Sequence, residues 1–65
     1  MKPAVFLLTY TYLDGWDHDQ EVNRHEVYLG DYLVAFWMDP LNAEHFAKGV
    51  AELHDLQLFR RRRRK

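Results

Sequence analysis

The chain has 65 residues, 48% of them apolar, and a formal net charge of −1. That length makes one domain whose core contributes only roughly 3–5 kcal/mol, and the lack of cysteine excludes disulfides, thiolate ligands and a cysteine nucleophile. No apolar run approaches the ~20 residues of a membrane span, and residues 4–8 are too short for a signal-peptide core, so a cytoplasmic protein is expected.

The net charge hides an asymmetry. Residues 1–59 carry three cations against ten carboxylates, a balance of −7, and Arg60, Arg61, Arg62, Arg63, Arg64 and Lys65 add six positive charges. An acidic body with a basic end points to a polyanionic partner, or to contact between end and body.

Residues 4–13 are rich in β-branched and aromatic types and alternate with period two, which predicts a strand entered at Pro3. One face carries Phe6, Leu8, Tyr10 and Tyr12, and the other Val5, Leu7, Thr9 and Thr11. Residues 14–20, polar except for Trp16, read as a loop. A second strand is predicted over 22–29 and a third over 32–38. Gly30-Asp31 joins them as a two-residue turn, with Gly30 supplying the positive φ of type II′. That turn sets Leu29 opposite Tyr32, Val27 opposite Val34, His25 opposite Phe36 and Asn23 opposite Met38 on one face, which is expected to meet a helix. The other face pairs Tyr28 with Leu33, Glu26 with Ala35, and Arg24 with Trp37, the last as a cation–π contact.

Asp39-Pro40 is a helix start, because Asp39 accepts from orphan amides and Pro40 has no amide to lose at the first position. The helix is expected from Leu41 to about Phe59. Its apolar stripe would be Leu41, Phe46, Ala47, Val50, Leu53 and Leu56, with Glu44 and Lys48 paired outside and Gly49 allowing close approach to the sheet. Such a helix would be about 30 Å long, longer than the strands beneath it. Residues 56–59 therefore either protrude toward a partner or leave the helix as an extended segment, and fraying is expected beyond Arg61. The predicted fold is α+β: a three-stranded antiparallel meander followed by one C-terminal helix packed on one face. Residues 1–59 would form the domain and 60–65 a basic tail.

Raw material for catalysis is poor. The chain lacks serine as well as cysteine, Thr9 and Thr11 sit in mid-strand, and the three glycines are isolated, so there is no phosphate loop. Asp14, Asp17, His18, Asp19, Glu21, His25 and Glu26 have the chemistry to hold a divalent cation. Their spacing matches neither the twelve-residue calcium loop nor a zinc pattern, and a solvated turn is the simpler reading. No catalytic residue, metal or cofactor is assigned, and a non-enzyme is expected.

The basic run is the most specific feature. Arg60, Arg61, Arg62, Arg63, Arg64 and Lys65 would bind phosphates by counterion release, which makes a small accessory or regulatory protein that contacts nucleic acid the leading expectation. The alternative is an inhibitor or adaptor that meets a protein partner through acidic Asp17, Asp19 and Glu21 and the mixed sheet face of Arg24, Tyr28, Leu33 and Trp37. That face is more apolar than a monomer normally leaves open, so a homodimer through it or through the helix end is also expected.

Asp39-Pro40-Leu41-x-Ala43-x-x-x-Ala47, following a Trp-containing hairpin, resembles short early-region proteins of lambda-like phages. The likeness covers residues 32–53 and implies a phage-encoded regulatory protein, without transferring a functional residue. The sheet-then-helix order also resembles the three-stranded DNA-binding domain of phage integrases. That family uses basic, exposed strands, whereas this chain has Glu26, Tyr28 and Asp31 there, so the mechanism does not carry over.

Overall fold

The structure is a computed structural model that describes residues 3–14 and 20–64, and of Asp14 the backbone alone. The elements run β1 (Val5–Asp14), β2 (Gln20–Leu29), β3 (Tyr32–Trp37), α1 (Pro40–His54) and β4 (Leu58–Arg64). They form an α+β fold with a four-stranded mixed sheet in the order β3-β2-β1-β4. The β1–β2 and β2–β3 pairs are antiparallel, and β4 lies parallel to β1.

The hairpin between β2 and β3 turns at Gly30, whose φ is 63°, and Asp31, whose φ is not positive, as type II′ requires. The Gly30 amide donates to the Ala4 carbonyl at 2.8 Å, tying the turn to the start of β1. Leu29 pairs with Tyr32 and Tyr28 with Leu33, as the turn dictates. The register then slips. Val27 pairs with Ala35, Glu26 with Phe36 and His25 with Trp37, leaving Val34 as the extra residue of a bulge. A one-residue slip exchanges the faces of everything beyond it. Ala35 and Trp37 therefore face α1, and Phe36 is turned out at 51% exposure. This corrects the expected core set of Tyr32, Val34 and Phe36, all of which are exposed. The residues of β3 are apolar on both faces, so either register buries hydrophobic side chains and the sequence pattern leaves the choice open.

α1 begins where the sequence predicts. Asp39 Oδ1 accepts from the Leu41 amide at 2.9 Å, and Pro40 occupies the first turn. The buried face is Ala43, Ala47 and Ala51, flanked by Phe46 and Val50, a spacing of three and four residues. Leu41 and Leu53 are 69% and 79% exposed, correcting their place on the apolar stripe. Gly49 is exposed and a β-carbon there would meet nothing within 4 Å, so the close approach to the sheet is made by the alanines instead. The core joins Val5, Leu7 and Val27 of the sheet to these alanines. Trp37 seals one side against Phe46, with ring centroids 4.8 Å apart at a 50° tilt.

The helix stops at His54, not near Phe59. Asp55 takes the left-handed conformation (φ 54°, ψ 52°), its amide donates to the Glu52 carbonyl at 3.3 Å, and the Leu56 amide donates to the Ala51 carbonyl at 2.8 Å. These two bonds are a Schellman ending, with Leu56 folding back onto the core beside Ala51. Glycine normally fills the left-handed position; aspartate is among the few other residues that enter it at modest cost. The shorter helix, about 22 Å by its rise, matches the sheet better than one extended to residue 59. The Val5 amide then donates to the Gln57 carbonyl at 2.9 Å and delivers the chain into β4. The expected frayed tail is thus a parallel edge strand as far as Arg64, and the three-stranded antiparallel sheet is corrected to four strands, one of them parallel.

Candidate functional site

Side chains alternate along β4, and its pairing with β1 fixes which way each arginine points. Val5 is level with Leu58, Leu7 with Arg60, Thr9 with Arg62 and Thr11 with Arg64, so these β4 residues share the α1 side. Phe6 is level with Phe59, Leu8 with Arg61 and Tyr10 with Arg63, so these share the opposite face, which no described element covers.

On the α1 side the arginines are largely spent on carboxylates. Arg60 Nε donates to both Glu44 carboxylate oxygens at 3.0 and 3.2 Å, and its Nη2 also reaches Glu44. The Arg60 hydrogen bonds hold the Glu44 carboxyl below its ordinary range against the opposing effect of burial, and Lys48 Nζ at 3.7 Å adds to them. Arg64 Nη2 lies 3.6 Å from Glu21. Further along this face the side chains are polar. His25 is 8% exposed, its Nδ1 is 2.9 Å from Thr9 Oγ1, and Thr11 Oγ1 donates to Asn23 at 2.7 Å. Burial lowers the His25 pKa, the Arg62 guanidinium lowers it further, and Asp39 opposes both.

The open face is aromatic and cationic. Phe6, Leu8, Tyr10 and Tyr12 of β1 run alongside Arg24, Glu26 and Tyr28 of β2, with Phe36 beyond and Phe59, Arg61 and Arg63 on the other flank. The Phe6 and Phe59 rings stack at 5.7 Å and 24°. The guanidinium carbon of Arg24 sits 3.9 Å from the Phe36 centroid, so the expected cation–π contact exists with Phe36 in place of Trp37. Glu26, 8% exposed, accepts from the Tyr28 hydroxyl at 2.9 Å, which raises the Tyr28 pKa. Arg24 Nε is 2.9 Å from the other Glu26 oxygen but out of line for a hydrogen bond, so it acts there as a charge. Arg61, Arg62 and Arg63 form no ion pair with any described residue.

Of the residues singled out in the sequence, Arg24, Tyr28, Leu33, Arg61 and Arg63 come together on or beside the open face. Trp37 does not, because the bulge turns it toward Phe46. Arg60 and Arg64 are engaged with carboxylates on the other side. Asp17, Asp19 and Lys65 lie outside the described residues, and Glu21 is committed to Arg64. The neighbours that the sequence reading missed are Phe59, which β4 brings onto Phe6, and Phe36. Alternation in residues 4–13 gives the Phe6–Tyr12 row, but nothing local places arginines beside it. A charged edge strand also deters pairing with another sheet, and that alone is a sufficient structural role for some of these cations.

Among the described residues no group of three His, Cys, Asp or Glu is arranged to hold a metal ion, and no helix is long and apolar enough to cross a membrane. Comparison with family models, curated proteins and solved structures gave no match, which leaves the likeness to phage early-region proteins without support or contradiction.

Proposed function

We propose that the chain is a small non-enzymatic accessory or regulatory protein that binds nucleic acid through β4. The observation that supports this is the run Arg61, Arg62 and Arg63, three successive cations on one hydrogen-bonded strand without an ion-pair partner among the described residues. Phosphates neutralise such cations and release condensed counterions, and a strand presents them with less ordering cost than a disordered tail. The carboxylates of the body keep the rest of the surface away from a polyanion, so contact is confined to this strand and its flanks.

Fluorescence anisotropy of labelled oligonucleotides tests the reading. Arg61 and Arg63 share one face of β4 and Arg62 points to the other, so two phosphate contacts on one face predict that affinity for a single strand falls roughly seven-fold between about 50 and 200 mM salt. Replacing Arg61, Arg62 and Arg63 together by threonine, which retains strand propensity, should abolish both binding and its salt dependence. Absence of binding by the parent chain at the lower salt would refute the proposal.

A further inference from the structure

We infer that the nucleic acid this protein takes is single-stranded and lies across the open sheet face, its bases stacked on the β1 tyrosines and its phosphates at Arg61 and Arg63. The inference rests on the nucleic-acid reading above and specifies its substrate. Two hollows lie side by side on that face. The larger, about 580 Å³, is lined by Tyr10, Tyr12, Arg24, Glu26 and Arg63. The smaller, about 150 Å³, is lined by Phe6, Leu8, Tyr28 and Gly30, again with Tyr10 and Arg63. Tyr10 and Arg63 are register partners on β1 and β4, so one cross-strand pair forms the ridge between the hollows. An aromatic ring and a guanidinium side by side on such a ridge suit two neighbouring bases in the hollows with the linking phosphate on Arg63. Base–aromatic stacking tolerates any sequence, because every base has a π-face.

Duplex is disfavoured by dimension and by what it exposes. Four strands spaced about 4.8 Å apart span roughly 14 Å between the outer two, before side chains are added, which is too wide for a major groove of about 12 Å. A duplex also keeps its base faces inside the stack, out of reach of tyrosines on a flat sheet. A second copy of this chain is disfavoured by charge. Among the described side chains the face carries Arg24, Arg61 and Arg63 against one carboxylate, Glu26, which is already shared by Arg24 and Tyr28. Two such faces brought together would oppose cation to cation without compensation.

The test compares a single-stranded oligothymidylate, a duplex of equal length and heparin, with the parent chain, Tyr10→Val, Tyr12→Val and Tyr12→Trp. Single strand should bind more tightly than duplex at equal salt. Each valine substitution should weaken single-strand binding at least about five-fold while leaving heparin binding unchanged, as loss of one stacked base requires. Tyr12→Trp keeps a stacking surface, so it should retain affinity and report it by quenching of indole fluorescence on addition of the oligonucleotide. Equal binding of single strand and duplex, with the valine variants unaffected and no quenching, would overturn the inference and leave the nucleic-acid reading standing. Failure of all three polyanions to bind would remove both. A micromolar dimer in sedimentation that Tyr12→Val dissociates and oligothymidylate does not would assign the face to a second copy and overturn the inference.

Discussion

His25 is the titratable group most deeply set among the polar side chains of the α1 side. Thr9 bonds its ring, Arg62 approaches from β4 and Asp39 from the helix start, and burial is the largest influence on its pKa. The folded pKa lies below the ordinary value of 6.5. The unfolded chain therefore takes up the proton at higher pH than the folded one. The resulting stabilisation is fully present above the unfolded pKa and is lost as pH falls through 6.5 and then through the lower folded value. Urea titrations at neutral pH and at successive points below it should show a falling midpoint, and His25→Gln should flatten that fall. An unchanged slope in the variant would show that His25 is not its source. Glu44 has the same sign for a different reason: Arg60 depresses its pKa, so its contribution is lost only when acid protonates the carboxylate.

At the scale of the element, α1 carries an unspent reserve of stability. Gly49 lies on its exposed face with open space where a β-carbon would go. Glycine in a helix interior costs about 0.8–1.0 kcal/mol relative to alanine, so Gly49→Ala should raise stability by about that amount, seen as a higher melting temperature. A loss of stability would mean that the position meets something the described residues do not show. β4 is the opposite case, a strand built from residues with little intrinsic preference for one. It is held by its pairing with β1, by Leu58 on the core, by Phe59 on Phe6 and by Arg60 on Glu44. Truncation after Phe59 would keep Leu58 and Phe59 but remove the Arg60–Glu44 contact and the pairing of residues 60–64, exposing the edge of β1 from Leu7 onward. From a total of only roughly 3–5 kcal/mol, the truncated chain should lose cooperative thermal unfolding by circular dichroism and associate in sedimentation. An unchanged melt would show that residues 60–64 contribute nothing to the fold. Substitution at Arg61, Arg62 and Arg63, not truncation, is thus the clean way to separate binding from folding.

Taken as a whole, the molecule has two unlike faces. α1 and its alanines close one end of one face, and Arg60, Arg64, His25 and the threonines complete that side with internal pairs. The other face gathers aromatic side chains from all four strands, with Arg61 and Arg63 at its edge and without an ion-pair partner among the described residues. The charge asymmetry apparent in the sequence therefore becomes a spatial one. Of the five arginines of β4, Arg60 and Arg64 balance carboxylates of the body, and Arg61, Arg62 and Arg63 have no ion-pair partner among the described residues.

The sequence alone determined the elements whose signals are local. Period-two alternation marked β1 and sorted its two faces, Gly30-Asp31 set the turn and the first two pairs beyond it, and Asp39-Pro40 started the helix, because each depends on the conformational preferences of adjacent residues. The bulge at Val34, the left-handed Asp55 and the parallel strand β4 were decided only by tertiary structure. β3 is apolar on both sides, so its register depends on how Trp37 and Ala35 fit against α1. Aspartate at 55 ends the helix because Leu56 gains the core. Five consecutive arginines become a strand because β1 offers a row of backbone donors and acceptors that residues fifty positions away in the chain can satisfy, a contact that no local pattern encodes.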